Sequence, residues 1–166
     1  NCYLLPKHGD PEEYEKSVRS MKTFFKGATQ DVLFVLSGSG LVSGAALQIL
    51  KSLQGRNINI LYIKPDIEFL GHVNILQERT VRNVLQEYTR SGIFERMFLI
   101  DNLKVEQVIG EVPIVGYYDK LNELIVSTIH MINVYNHQDP IHATPFDTSE
   151  TTRISTFGIL NIEKGE

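Results

Sequence analysis

The residues whose types and spacing come closest to a ligand-binding device are Ser37-Gly38-Ser39-Gly40-Leu41-Val42-Ser43-Gly44-Ala45-Ala46, set between an apolar run and a segment of helical spacing. Glycines at such a junction let the backbone turn sharply and approach a ligand, and the N–H groups that open the following helix attract phosphate. Ser39 and Ser43 add hydroxyl donors. The stretch contains no Gly-Lys-Ser/Thr and lacks the dinucleotide spacing of helix-opening glycines. Its local pattern therefore leaves two readings, an anion site or a tight turn that holds no ligand. Residues 136–152, rich in His, Asp, Thr and Pro, are the best candidate for an exposed functional loop. A carboxylate there can orient water or accept its proton, although acids on a surface loop are normally only solvated. His137 and His142 share this loop with Asp139 without the spacing of a metal centre, so no metal held by protein ligands is expected.

Alternating elements are needed to position these residues. Asp10 and Pro11 read as a helix start, and Tyr14, Val18, Met21, Phe24 and Phe25 share one helical face before Gly27. Asp31–Leu36 has the length and continuous apolarity of a strand covered on both faces. Residues 43–53 read as a helix, 57–63 as a strand, 73–90 as a long helix and 94–100 as a strand. A short strand over 112–115, a long helix over 118–135 and a strand over 154–162 complete the pattern. This order predicts an α/β fold with a mostly parallel sheet flanked by helices, in which ligands sit at the carboxyl ends of the strands. Those ends carry Ser37–Gly40, Lys64-Pro65-Asp66 and Asp101-Asn102.

Composition sets the outer bounds. With 166 residues, 42% hydrophobic and 22% charged, the chain can build a core without metal or disulfide support. A net charge of −4 provides no broad field for a nucleic-acid backbone, and no apolar run reaches the roughly 20 residues of a membrane span. The lone Cys2 fits a reducing compartment, and the expected location is cytoplasmic. Because the chain starts at Asn1 and stops just after a strand-like segment, the fold is expected to be incomplete at both ends.

Five segments, in order, resemble the tubulin/FtsZ family. Asp31-Val-Leu-Phe-Val-Leu-Ser-Gly-Ser-Gly-Leu-Val-Ser-Gly-Ala-Ala46 is similar to that family's strand and phosphate-binding signature loop, Gly-Gly-Gly-Thr-Gly-Thr/Ser-Gly before Ala-Ala. Ile60-Leu-Tyr-Ile-Lys-Pro65 with Phe69 and Gly71 resembles its Thr-Lys-Pro-Phe…Phe-Glu-Gly segment, and Phe98-Leu-Ile-Asp-Asn-Leu-Lys104 its Ile-Pro-Asn-Asp-Lys-Leu loop. Upstream, Gly9-Asp-Pro-Glu12 and Lys26-Gly-Ala28 resemble its Ala-Asn-Pro-Glu turn and Leu-Lys-Gly-Ala-Asp helix end.

The resemblance implies a Rossmann-like nucleotide-binding portion over residues 1–135, including a long central helix, then a loop and the start of a second domain over 136–166. It implies GTP or GDP, with magnesium, bound between subunits that associate head to tail into filaments. Gly38, Ser39, Gly40, Ser43 and Gly44 would line the phosphates, while Tyr118 stacks on the guanine base and Asn122 pairs with its edge. Asp147, with Asp139 and Glu150 as alternatives, would take the role of the acidic residue that drives hydrolysis on the neighbouring subunit's nucleotide. Departures from the pattern favour an alternative, a degenerate tubulin-like scaffold subunit without turnover. Leu41 and Val42 stand where the family has Thr and Gly, its Asn-x-Asp-x-x-Asp is missing, and its first nucleotide loop does not occur in these residues. An unrelated α/β enzyme with a phosphate-bearing substrate is a third reading, without an identifiable nucleophile. If Asp147 is the hydrolytic acid, Asp147→Ala slows GTP turnover without weakening GTP binding; equal turnover in a phosphate-release assay removes it from the mechanism.

Overall fold

The computed structural model describes residues 2–110, 113, 115–139 and 152–157. Among the described residues, four strands form one sheet in the order β1 (Asp31–Leu36), β2 (Asn57–Lys64), β3 (Arg96–Asp101) and β4 (Ile154–Thr156), every neighbouring pair parallel. Five α-helices accompany them: α1 (Pro11–Ser17), α2 (Ala46–Ser52), α3 (His72–Arg90), α4 (Asn102–Ile109) and α5 (Tyr117–His137). The chain is therefore an α/β protein with a parallel sheet between helical layers, as the alternation of elements predicts.

Side chains of β2 alternate between two cores, as the period of a strand requires. Ile58, Ile60 and Tyr62 join Leu50 and Leu53 near α2, Leu85 of α3, and Phe94 and Met97. Leu61 faces the other way and packs with Ile100, Leu121 and Ile125, the last two from α5. β1 is covered on one face only. Its Val32, Phe34 and Leu36 pack against the first core, whereas Leu33 and Val35 are exposed.

The amino-terminal segment departs from the predicted helix. Asp10 does cap α1, its Oδ1 accepting the Glu13 N–H at 2.8 Å, but the helix ends at Ser17 and Val18 is extended. The Ser17 hydroxyl donates to the Tyr14 carbonyl at 3.0 Å, a local bond that competes with helix continuation. Met21 then donates its N–H to Ser52 Oγ at 3.0 Å and becomes buried, and the Arg56 guanidinium collects the carbonyls of Phe25, Ala28 and Thr29. These tertiary bonds replace the helical ladder.

Three other expectations change. The helix over 43–53 is a 3-10 helix, Leu41–Ala45, running into α2. Where the sequence marks only a strand end at Asp101-Asn102, α4 forms, capped by Asp101 Oδ1 accepting the Leu103 N–H at 3.2 Å and ended by Gly110 at φ 70°. The strand over 154–162 is observed as Ile154–Thr156, with Phe157 outside it and 158–162 outside the described residues; of the expected strand over 112–115, Pro113 and Val115 are not strand and the other two positions lie outside the described residues.

Gly44 joins α1 to the rest of the molecule. A Cβ built at Gly44 would lie 1.9 Å from the Pro11 carbonyl oxygen and 2.6 Å from its carbon, so only glycine lets the 3-10 helix approach α1 this closely. Gly44→Ala should lower the unfolding free energy by about 1–3 kcal/mol, the usual cost of overpacking, as measured by urea denaturation.

Candidate functional site at the carboxyl ends of the strands

β1 delivers the chain into the Ser37–Gly40 turn at the carboxyl edge of the sheet. Among the described residues, the N–H groups of Ser39, Gly40, Leu41 and Val42 donate to no protein acceptor; the first bonded amide is Ser43, to the Gly40 carbonyl at 2.9 Å. Successive free N–H groups make a concavity that suits an anion. Beside them the space is open, since a Cβ built at Gly40 meets nothing within 4 Å. Among the described residues no non-glycine has a positive φ, and Gly40 itself is extended at φ −83°. Val42 and Leu41 therefore enter the turn without backbone strain, and their side chains are 51% and 42% exposed. Their N–H groups remain available because a backbone donor does not depend on its side chain.

The five predicted phosphate-lining residues separate into two groups. Gly38, Ser39 and Gly40 form the turn, with Gly40 exposed at its tip. Ser43 and Gly44 do other work. The Ser43 hydroxyl is nearly buried and lies 2.8 Å from the Gly38 carbonyl and 2.6 Å from that of Gly40, closing the turn on itself, and it accepts from Gln77 Nε2 at 3.3 Å. Gly44 faces Pro11. Gly38, too, is constrained by packing: a Cβ there would lie 2.2 Å from the Tyr62 hydroxyl oxygen.

A buried polar cluster lies under the turn. Tyr62 and Glu78 are 0% and 1% exposed, and the Tyr62 hydroxyl donates to Glu78 Oε1 at 3.2 Å while Arg82 Nε donates to the same oxygen at 2.9 Å. Burial pushes the Tyr62 phenol well above its ordinary range, and the Glu78 carboxylate adds to the shift; Arg82 and the Gly38 N–H pull the other way. Sequence reading missed this cluster, yet a signal existed. Glu78 falls at helical spacing with the inward-facing Val81, Leu85 and Thr89, so a carboxylate occupies the apolar stripe of α3.

Farther along the edge, Lys64 Nζ at the end of β2 pairs with Asp101 Oδ2 at the end of β3, 2.8 Å apart. Tyr117 opens α5 and donates its hydroxyl to Glu106 of α4. Tyr118 is 73% exposed and touches the Tyr117 ring edge-on, and Asn122, one turn later, is also exposed. The predicted base-contacting pair thus stands on the first two turns of α5. Asp139 is exposed beyond the other end of the same helix, about 30 Å away by helical rise. Asp147 and Glu150 lie outside the described residues.

Elsewhere, a groove of about 760 Å³ runs between α4 and α5, lined mainly by apolar side chains such as Val105, Leu124 and Met131, with Asp101 and Lys104 among its polar residues. Among the described residues, no three His, Cys, Asp or Glu side chains converge to hold a metal ion, and no helix is long and apolar enough to cross a membrane.

No family model, curated protein or solved structure matches the chain. What the site can do is therefore argued from its own chemistry: free N–H groups for an anion, and an exposed aromatic and amide for a planar ring.

The Tyr117 hydroxyl is pushed up to about 12, chiefly by its hydrogen bond to Glu106, with burial and the charge of Glu106 adding to it. A raised phenol pKa favours the neutral form in the folded protein, so this contribution is complete below the ordinary value of 10.0 and fades as pH rises toward about 12. Ultraviolet titration of the phenolates should show two tyrosines, Tyr62 and Tyr117, shifted upward, and Glu106→Ala should return only Tyr117 toward its ordinary range.

Proposed function

We propose that the chain binds a guanine nucleotide and assembles head to tail into filaments in the manner of the tubulin/FtsZ family, acting in the cytoplasm. The nucleotide, GTP or GDP with magnesium, lies between successive subunits. The observation that carries this reading is the run of acceptor-free N–H groups from Ser39 to Val42, opening beside Gly40 onto free space. Phosphate oxygens are the natural occupants of such a turn, because each free N–H satisfies one of them without needing a charged side chain. Tyr118 and Asn122, exposed at the start of α5, support a purine ring stacked on an aromatic and read by an amide. The ordered resemblance of five segments supports guanine and the filament.

Hydrolysis in this reading is an intersubunit event. Asp139 stands at the far end of a 21-residue helix from Tyr118, so a carboxylate in its region reaches nucleotide only on another copy. Open head-to-tail contacts of this kind generate filaments because they do not close. A second reading, a scaffold subunit that keeps the assembly and has lost turnover, is favoured by the exposed Leu41 and Val42 and by the intramolecular roles of Ser43 and Gly44.

Calorimetry with magnesium-GTP and magnesium-ATP, followed by light scattering on the same samples, tests both. Saturable, GTP-selective binding with increased scattering is expected, and no binding of either nucleotide would leave the scaffold reading. Gly40→Val should abolish binding with an unchanged circular dichroism spectrum and Tm, since Val adopts the extended backbone and its side chain enters only the open space. Unchanged affinity in that variant would remove the turn from the site.

A further inference from the structure

We propose that Tyr62, Glu78 and Arg82 are positioning residues that set the aim of the backbone N–H groups in the Ser39–Val42 turn. The inference rests on the reading of that turn as an anion site, and it assigns a task to a buried polar cluster that touches no ligand itself.

The cluster is polarised in one direction. Arg82 Nε donates to Glu78 Oε1 at 2.9 Å, and the Tyr62 hydroxyl donates to the same oxygen at 3.2 Å. The hydroxyl also lies 3.2 Å from the Glu78 carbonyl oxygen, so one residue of α3 holds it through both side chain and backbone, and the phenol oxygen sits directly against Gly38. That contact fixes where β1 turns, and the four N–H groups that follow Gly38 are the ones left without a protein acceptor among the described residues. The fit admits no slack, because a Cβ at Gly38 would sit 2.2 Å from the hydroxyl oxygen and 3.3 Å from the Glu78 Cα.

Adjacent residues of α3 hold both ends of the turn. Glu78, through Tyr62, controls its entry at Gly38, while Gln77 donates to Ser43 Oγ, whose hydroxyl reaches back to the Gly38 and Gly40 carbonyls. A fully buried carboxylate is an expensive way to fill a core, since apolar residues of similar volume often stabilise more. What the carboxylate adds is a second, Arg82-anchored acceptor for the Tyr62 hydroxyl, whereas an apolar side chain would leave the Glu78 backbone carbonyl alone to hold it. Preorganised donors bind an anion more tightly than donors that must be ordered on binding.

The test uses the full chain and three variants, Tyr62→Phe, Glu78→Gln and Glu78→Leu. Hydrogen exchange is followed at Ser43–Ala46, which close the turn, and at Ile60 and Leu61 of β2 as the measure of global stability. Magnesium-GTP binding is measured in parallel. Tyr62→Phe and Glu78→Leu should accelerate exchange at Ser43–Ala46 about tenfold more than at β2 and weaken magnesium-GTP binding about tenfold, the scale of one buried hydrogen bond. Glu78→Gln keeps an acceptor for the hydroxyl and should restore most of both. Equal acceleration in the turn and β2, or no change in the turn, overturns the proposal and leaves the nucleotide reading standing. Turn-specific acceleration in a protein that binds no magnesium-GTP supports the positioning role and overturns the nucleotide reading instead.

Discussion

Tyr62 reaches from the middle of β2 to the underside of the Gly38 turn, and its hydroxyl has room there only because residue 38 lacks a side chain. Much of the carboxyl edge follows from that contact. The ring belongs to the core shared with Leu50, Leu85 and Met97, so packing fixes its height and tilt. Its oxygen then fixes where β1 can turn, and Glu78 of α3 fixes the oxygen. Sheet, helix and turn are tied through one phenol.

The same economy explains the glycines. None of the three in the turn region needs a left-handed backbone, since among the described residues the positive-φ glycines lie elsewhere, at Gly55, Gly92, Gly110 and Gly116. Gly38 and Gly44 are glycine because another part of the chain occupies the space of a Cβ, the Tyr62 hydroxyl in one case and the Pro11 backbone in the other. Gly40 alone faces open space. A motif that resembles a phosphate loop in sequence thus contains two packing glycines and one that faces the candidate site.

The two sides of the sheet are built differently. On one, α2 and α3 bury β1, β2 and β3 together; on the other, α4 and α5 lie over β2 and β3, leaving Leu33 and Val35 of β1 uncovered. Parallel sheets are ordinarily covered on both faces, which is why the apolar run Asp31–Leu36 reads as a buried strand although its residues here alternate between half-buried and exposed. The carboxyl edge nevertheless collects the polar groups: the free N–H groups, the Lys64–Asp101 pair, and the tyrosines at the start of α5.

Periodicity by itself determined the order of strands and long helices, because burial on one or two faces leaves a repeat of two, a continuous run, or a repeat near 3.6 in the residues themselves. The α/β fold, the placement of Ser37–Gly40 between β1 and α2, and the long helix carrying Tyr118 and Asn122 were legible on that basis. The end of α1 at Ser17 was not, since it is decided by Met21 bonding to Ser52 and by Arg56 gathering distant carbonyls. Nor could local spacing separate Gly40 from Gly38 and Gly44, or reveal that Glu78 meets Tyr62. Those distinctions depend on which atoms converge from parts of the chain far apart in sequence, and only tertiary packing brings them together.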